Sequence, residues 1–74
     1  MILLSRESYR ALADYWNAKQ TYQAAFLLGH PRQAEFLREM KEARMRLYRL
    51  GVIRRYGDDP PVMEEVELDP EYET

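Results

Sequence analysis

Two pairs of neighbouring carboxylates, Asp58-Asp59 and Glu64-Glu65, are the residues of this sequence best suited to general acid–base chemistry. Such chemistry requires carboxylates in a shaped, partly buried pocket, which a chain of 74 residues can scarcely enclose. The sequence also has no cysteine nucleophile, no glycine-rich phosphate loop, and a single histidine without the context of a triad. We therefore expect a protein that is not an enzyme and holds no cofactor, and we interpret these carboxylates as part of a solvated acidic segment.

The single histidine, His30, is the one residue with the chemistry of a metal ligand or of a switch that titrates near neutral pH. A structural zinc site needs about four Cys or His ligands, and this chain has no cysteine. His30 also lies between Gly29 and Pro31, two residues that favour a turn. The sequence therefore predicts a turn and capping role for His30, and no metal site.

Aromatic residues at helical spacing could stack on nucleic-acid bases or fill a protein interface. On a helical wheel they share one broad apolar arc with leucine residues, and a second helix would cover part of that arc. Packing in the core or in a dimer interface is therefore the default interpretation. The residues that we predict to contact a partner are Tyr9, Leu12, Tyr15, Trp16, Tyr22 and Phe26.

Charge is distributed unevenly along a chain whose net charge is −2. Residues 32–56 contain eight basic and three acidic residues, whereas residues 57–74 contain eight acidic residues and no basic one. A basic cluster of this kind could bind phosphate groups. The alternative is a solvated helix face onto which the acidic tail folds, contacting Arg44 and the arginines of residues 54–55. The candidate nucleic-acid contacts are Arg38, Arg46, Arg49, Arg54 and Arg55.

The run Leu47-Tyr48-Arg49-Leu50-Gly51-Val52-Ile53-Arg54-Arg55 resembles the end of the recognition helix and the first wing strand of winged-helix DNA-binding domains. In that resemblance, residues 58–61 correspond to the wing tip and residues 62–68 to the returning strand. It covers roughly the C-terminal half of the chain, and it implies binding to duplex DNA. Glutamates share the helix face with these arginines and oppose their field, so a DNA-binding regulator is the alternative function.

The first helix is predicted for residues 6–28. Ser5 is suited to cap its N-terminus, and Glu7 lies in the first turn, where the helix dipole favours an anion. Gly29 can adopt the left-handed conformation that ends a helix.

The second helix is predicted for residues 31–50. His30 would be its N-cap, Pro31 its first residue, and Gly51 the residue that ends it. Because the connection is so short, we expect the two helices to be antiparallel neighbours.

Residues 52–68 are compatible with two structures. Turn residues from 57 to 61 and the alternation of charged and apolar residues from 65 to 68 suit a short β-hairpin. The alternative is an extended acidic tail, held to the helices by the apolar residues Val62, Met63, Val66 and Leu68.

These patterns predict a mainly α fold: an antiparallel two-helix hairpin in residues 1–56 and an acidic extension in residues 57–74. The apolar faces are wider than the stripe that two helices bury against each other. We therefore expect a homodimer with a four-helix arrangement.

The predicted function is that of a non-catalytic protein-interaction module, such as an adaptor, an inhibitor or a small regulatory subunit. It would act through the aromatic helix face and the acidic tail, with a second copy and another protein as its partners. The apolar start of the sequence, Met1 to Leu4, is too short for a signal-peptide core or a membrane span, so we expect a cytoplasmic protein without membrane contact.

Overall fold

The computed structural model describes residues 1–72 of the chain. Strand β1 (Ile2–Leu4) is followed by helix α1 (Arg6–Leu28), helix α2 (Gln33–Arg49) and strand β2 (Val66–Leu68). Short 3-10 turns at Met63–Glu65 and Pro70–Tyr72 flank β2. The protein is mainly helical, and α1 and α2 pack against each other.

Helix α1 has the predicted bounds. The Ser5 hydroxyl oxygen accepts a hydrogen bond from the Ser8 backbone N–H at 3.2 Å. At the other end Gly29 has a φ of 64°, and the His30 N–H donates to the Ala25 carbonyl at 2.8 Å. These bonds satisfy backbone groups that a helix leaves unpaired at its ends.

Helix α2 begins at Gln33, so the prediction of a helix starting at Pro31 with His30 as its N-cap is wrong. The N-cap position belongs to Arg32, which makes no capping hydrogen bond through its side chain. The His30 Nδ1 instead accepts a hydrogen bond from the Arg32 backbone N–H at 3.0 Å. A side chain that accepts a hydrogen bond from the amide two residues further on stabilises a turn. Because of this turn, α2 begins two residues later than predicted.

The end of α2 lies at Arg49, one residue before the predicted bound. Gly51 has a φ of 78°, and the Val52 N–H donates to the Leu47 carbonyl at 2.9 Å. This is the bond of a Schellman motif, which requires a left-handed residue after the helix. The role predicted for Gly51 is therefore confirmed.

Of the two alternatives for residues 52–68, the β-hairpin does not form, because residues 52–62 contain no strand and β2 pairs with β1. As the other alternative predicts, Met63 and Val66 hold this segment to the core. The two strands are parallel, with Ile2 opposite Val66 and Leu4 opposite Leu68. Because Val66 is buried in the core, the C-terminal segment packs beside the N-terminal strand. Alternation in a sequence predicts a strand, but it does not identify the neighbouring strand.

The core lies towards one end of the helix pair, next to the strands. Its large, fully buried side chains are those of Leu12, Tyr15 and Leu47. The molecule is elongated, with dimensions of 43 × 21 × 20 Å. Beyond Trp16, none of the large apolar side chains of α1 is buried. The buried cluster consists of Ala11, Leu12, Tyr15, Ala43, Leu47, Ile53 and Val66.

Trp16 connects α1 to the segment that precedes β2. Its indole N–H donates to the Pro61 carbonyl at 2.9 Å, and its ring makes an edge contact with Tyr15 at a centroid distance of 5.2 Å. The Lys19 ammonium lies 5.0 Å from the centroid of the Trp16 ring. Trp16 thus helps to hold the C-terminal segment against α1.

Replacing Trp16 by phenylalanine should lower the free energy of unfolding by about 1–2 kcal/mol, because the Pro61 carbonyl loses its donor and some packing is lost. Urea unfolding followed by circular dichroism measures this loss. Lys19→Met, which removes only the cation over the ring, is the matched control and should cost less than about 1 kcal/mol. A Trp16→Phe variant as stable as the wild type would contradict a structural role for the hydrogen bond.

Candidate functional site

The structure divides the predicted interface residues into two groups. Leu12 and Tyr15 are buried, and Tyr9 and Trp16 are half-buried against the same core. In this fold, Leu12 and Tyr15 are therefore not available to a partner, which corrects their prediction as interface residues. The reason is that residues 43 and 47 of α2 and residues 53 and 66 of the C-terminal segment form one buried cluster with the first half of the aromatic arc.

The second half of the arc, with Tyr22, Phe26 and Leu27, remains uncovered. Together with Leu28, which lies outside the arc, it forms the C-terminal part of α1 that we call the apolar end. Phe26 is 61% exposed, Leu27 83% and Leu28 82%. Tyr22 is half-buried, and its ring centroid lies 6.3 Å from that of Phe26. Leu27 and Leu28 were not among the predicted contacts, although two leucines directly before the helix-ending glycine were a visible signal.

The apolar end carries no charge. Residues 20–31 contain no Asp, Glu, Lys or Arg. The charges that border this segment already have partners within the chain: Lys19 lies over the Trp16 ring, and the Arg32 Nε donates to Glu35 at 2.7 Å. Exposed apolar area costs about 25 cal/mol per Å², and contiguous apolar patches on a protein surface mark sites of protein contact.

Two of the five arginines predicted to contact nucleic acid lie beside carboxylates. Arg46 lies 3.6 Å from the Asp14 carboxylate, and Arg38 shares a shallow depression with three glutamates of α2. Arg49, Arg54 and Arg55 are exposed. The wing that the winged-helix resemblance implies is absent, because residues 52–62 form no strand and β2 pairs with the N-terminal strand instead.

Arg44 holds the segment after α2 in place. Its Nη1 donates to the Tyr56 carbonyl at 2.9 Å and to the Asp58 carbonyl at 2.8 Å. Its Nη2 donates to the Tyr15 hydroxyl at 2.7 Å. The C-terminal segment does fold back on Arg44, as one alternative predicted, but the hydrogen bonds use backbone carbonyls and not carboxylates.

Three glutamates of the C-terminal segment face solvent. Glu64, Glu65 and Glu67, which we call the acidic ridge, are exposed. Within the described part of the chain, none of the three forms an ion pair. The acidic ridge is therefore free to interact with a basic surface.

The carboxylate pairs considered for acid–base chemistry follow α2 in the chain, whereas His30 lies in the turn before α2. Asp58 Oδ2 accepts the Arg55 backbone N–H at 3.1 Å and so closes a turn, and Asp59 is exposed. Among residues 1–72, no three His, Asp or Glu side chains are grouped as metal ligands. In the same residues, neither helix has the length and apolar character required to cross a membrane.

Comparisons with protein-family models, with curated proteins and with solved structures give no match to this chain.

Proposed function

We propose that this protein is a non-catalytic protein-interaction module, of the adaptor, inhibitor or small regulatory subunit type, that binds another protein through its apolar end. The observation that carries the proposal is the exposure of Phe26, Leu27 and Leu28 in a segment without charged residues. These side chains project from the last turn of a long helix. Tyr22 and Phe26 lie four residues apart on one face of that helix, and a helix that presents apolar residues at such intervals can bind in an apolar groove.

The groove of the partner would be apolar and nearly uncharged at its centre, since a charge placed against Phe26 and Leu27 would lose its hydration without gaining a partner. Tyr22 and Phe26, spaced by four residues, would be the aromatic anchors. The acidic ridge would favour a partner with basic residues elsewhere on its surface. Such charges mainly accelerate association, and salt weakens their effect.

We also propose that the protein associates with a second copy of itself, because a chain this short without disulfides has a small core and gains stability from association. Within each copy, the two helices would be antiparallel. In the four-helix arrangement predicted from the sequence, two copies would bury the aromatic arc of α1, and the part of that arc that is exposed in a single copy lies at the apolar end. That contact would close the same surface to another protein. The apolar end therefore cannot serve a second copy and another protein at the same time.

The double variant Leu27→Ser/Leu28→Ser should no longer bind the partner protein, because it removes two exposed leucine side chains and leaves the core unchanged. The measurement is quantitative affinity capture from extract of the source cells. The recovery of the specific partner should fall at least tenfold, about 1.4 kcal/mol of binding free energy. The matched control is Met45→Ser/Tyr48→Ser, which removes exposed apolar side chains from α2. A partner recovered equally with both double variants would contradict binding at the apolar end.

A mobility-shift experiment with the purified protein distinguishes this function from the alternative of DNA binding. With duplex DNA at low salt we expect no mobility shift, because Arg46 is paired and Arg38 lies among glutamates. A salt-dependent shift that disappears in Arg49→Ala/Arg54→Ala would instead favour the DNA-binding regulator.

A further inference from the structure

Strand β1 has one edge that no other strand covers. The sheet of the described chain consists of β1 and β2 alone. The Asp69 N–H donates to the Leu4 carbonyl at 2.8 Å, so the backbone groups of Leu4 face β2. Backbone groups alternate in direction along a strand, and those of Leu3 therefore point to the uncovered edge. Leu3 is also 52% exposed.

The two outer edges of the sheet differ in charge. β2 carries Glu67 at its centre and is bordered by Glu65 and Asp69, whereas Met1 to Leu4 include no charged side chain. Charged residues on edge strands are a common protection against pairing with another chain. The β2 edge has this protection, and the β1 edge does not. A two-stranded ribbon of this length is also marginally stable by itself.

We propose that a second copy of this chain adds to the β1 edge, so that the two β1 strands pair antiparallel about a two-fold axis at Leu3. This inference rests on the self-association in the proposed function and assigns it a surface. The Leu3 N–H and carbonyl of each copy exchange hydrogen bonds with those of Leu3 in the other copy. The two Leu3 side chains lie directly opposite on the outer face, where cross-strand Cβ atoms are about 5 Å apart.

Electrostatics selects this pairing over the other edge. In a four-stranded sheet ordered β2-β1-β1-β2, the two strands that carry Glu67 are outermost, about 14 Å apart at the usual strand spacing. This distance exceeds the Debye length of about 8 Å at physiological salt. Pairing through β2 would place Glu67 of one copy beside Glu67 of the other, where like charges repel.

Pairing through β1 also leaves the apolar end open. β1 directly precedes α1, and the apolar end lies in its last turns. A helix rises 1.5 Å per residue, so the length of α1 separates the two surfaces by about 30 Å. One copy can therefore bind a second copy through the β1 edge and another protein through the apolar end.

The test is the molar mass of the full chain, measured by size-exclusion chromatography with light scattering over a range of concentrations. We expect the wild type to dimerise, and we expect Leu3→Pro to raise the dimer dissociation constant at least tenfold. Proline removes the Leu3 N–H, which faces the uncovered edge and takes no part in the bonds between β1 and β2. Leu3→Lys, which adds an edge charge, should have the same effect. Circular dichroism shows whether each variant is folded. If Leu3→Pro is unfolded, the dimer dissociation constant of Leu3→Lys decides the test.

The matched control is Leu27→Ser/Leu28→Ser, which should remain a dimer. A dimer that persists in a folded Leu3→Lys variant, or a wild-type chain that stays monomeric at all concentrations, would overturn the inference. If the control loses the dimer and Leu3→Lys keeps it, the β1 pairing is wrong while self-association through the apolar end stands. Amide hydrogen exchange adds a readout without substitution, since the Leu3 N–H should gain protection only in the dimer.

Discussion

Replacing Leu47 by alanine should lower the free energy of unfolding by about 2–5 kcal/mol, because it removes buried methyl groups and leaves a cavity. Leu47 is 0% exposed and belongs to the cluster that joins α1, α2 and the C-terminal segment. Small domains are stabilised by about 5–15 kcal/mol in total. A loss of this size would leave a measurable unfolded population, which urea titration followed by circular dichroism can quantify.

The neighbouring residue provides the control for this prediction. Tyr48 follows Leu47 on the same helix, but it is 47% exposed. Tyr48→Ala should therefore cost less than about 1 kcal/mol, as substitutions on the surface usually do. Equal losses in the two variants would mean that Leu47 is not at the centre of the core.

Replacing Arg44 by methionine should cost about 2–4 kcal/mol, the second largest effect that we expect from a single substitution. The guanidinium donates three hydrogen bonds, to the Tyr15 hydroxyl and to the Tyr56 and Asp58 carbonyls. Hydrogen bonds to charged groups contribute about 1.5–3 kcal/mol each, and the half-buried position of Arg44 reduces that contribution. Methionine retains much of the apolar stem, so the loss reports mainly on the hydrogen bonds. Urea unfolding measures it.

Two further variants separate the contributions of Arg44. Arg44→Lys keeps the charge but cannot reach three acceptors with the planar fork of a guanidinium, so it should be intermediate in stability. Tyr15→Phe removes only the hydroxyl that accepts from Nη2, and it should cost about 1 kcal/mol. If Arg44→Met is as stable as the wild type, Arg44 does not hold the C-terminal segment.

Local backbone chemistry could be predicted from the sequence. Ser5 and Gly29 define the bounds of α1, because a hydroxyl at the N-cap and a left-handed glycine after the last turn act within a few residues. Gly51 ends α2 for the same reason. The start of α2 was misplaced since the His30 ring bonds the amide of Arg32 and extends the turn.

The candidate surface was predicted only in part. Periodicity identified one apolar arc on α1, and its members Tyr22 and Phe26 lie in the exposed part of that arc. Periodicity could not show that Leu12 and Tyr15 would be fully covered within one chain, because two of the residues that pack with them, Ile53 and Val66, lie beyond both helices. Leu28 was missed because it lies outside the arc on the helical wheel.

The sequence by itself determined that the chain forms two helices, both bounds of α1, the glycine that follows the end of α2, and that the chain carries an acidic C-terminal segment. Only the tertiary structure decided that β2 pairs with β1, that Arg44 anchors the segment between them, and that the apolar end stays exposed. The physical reason is the range of the interactions. Caps and turns involve neighbouring residues, whereas strand pairing and core burial join residues whose proximity depends on the whole chain.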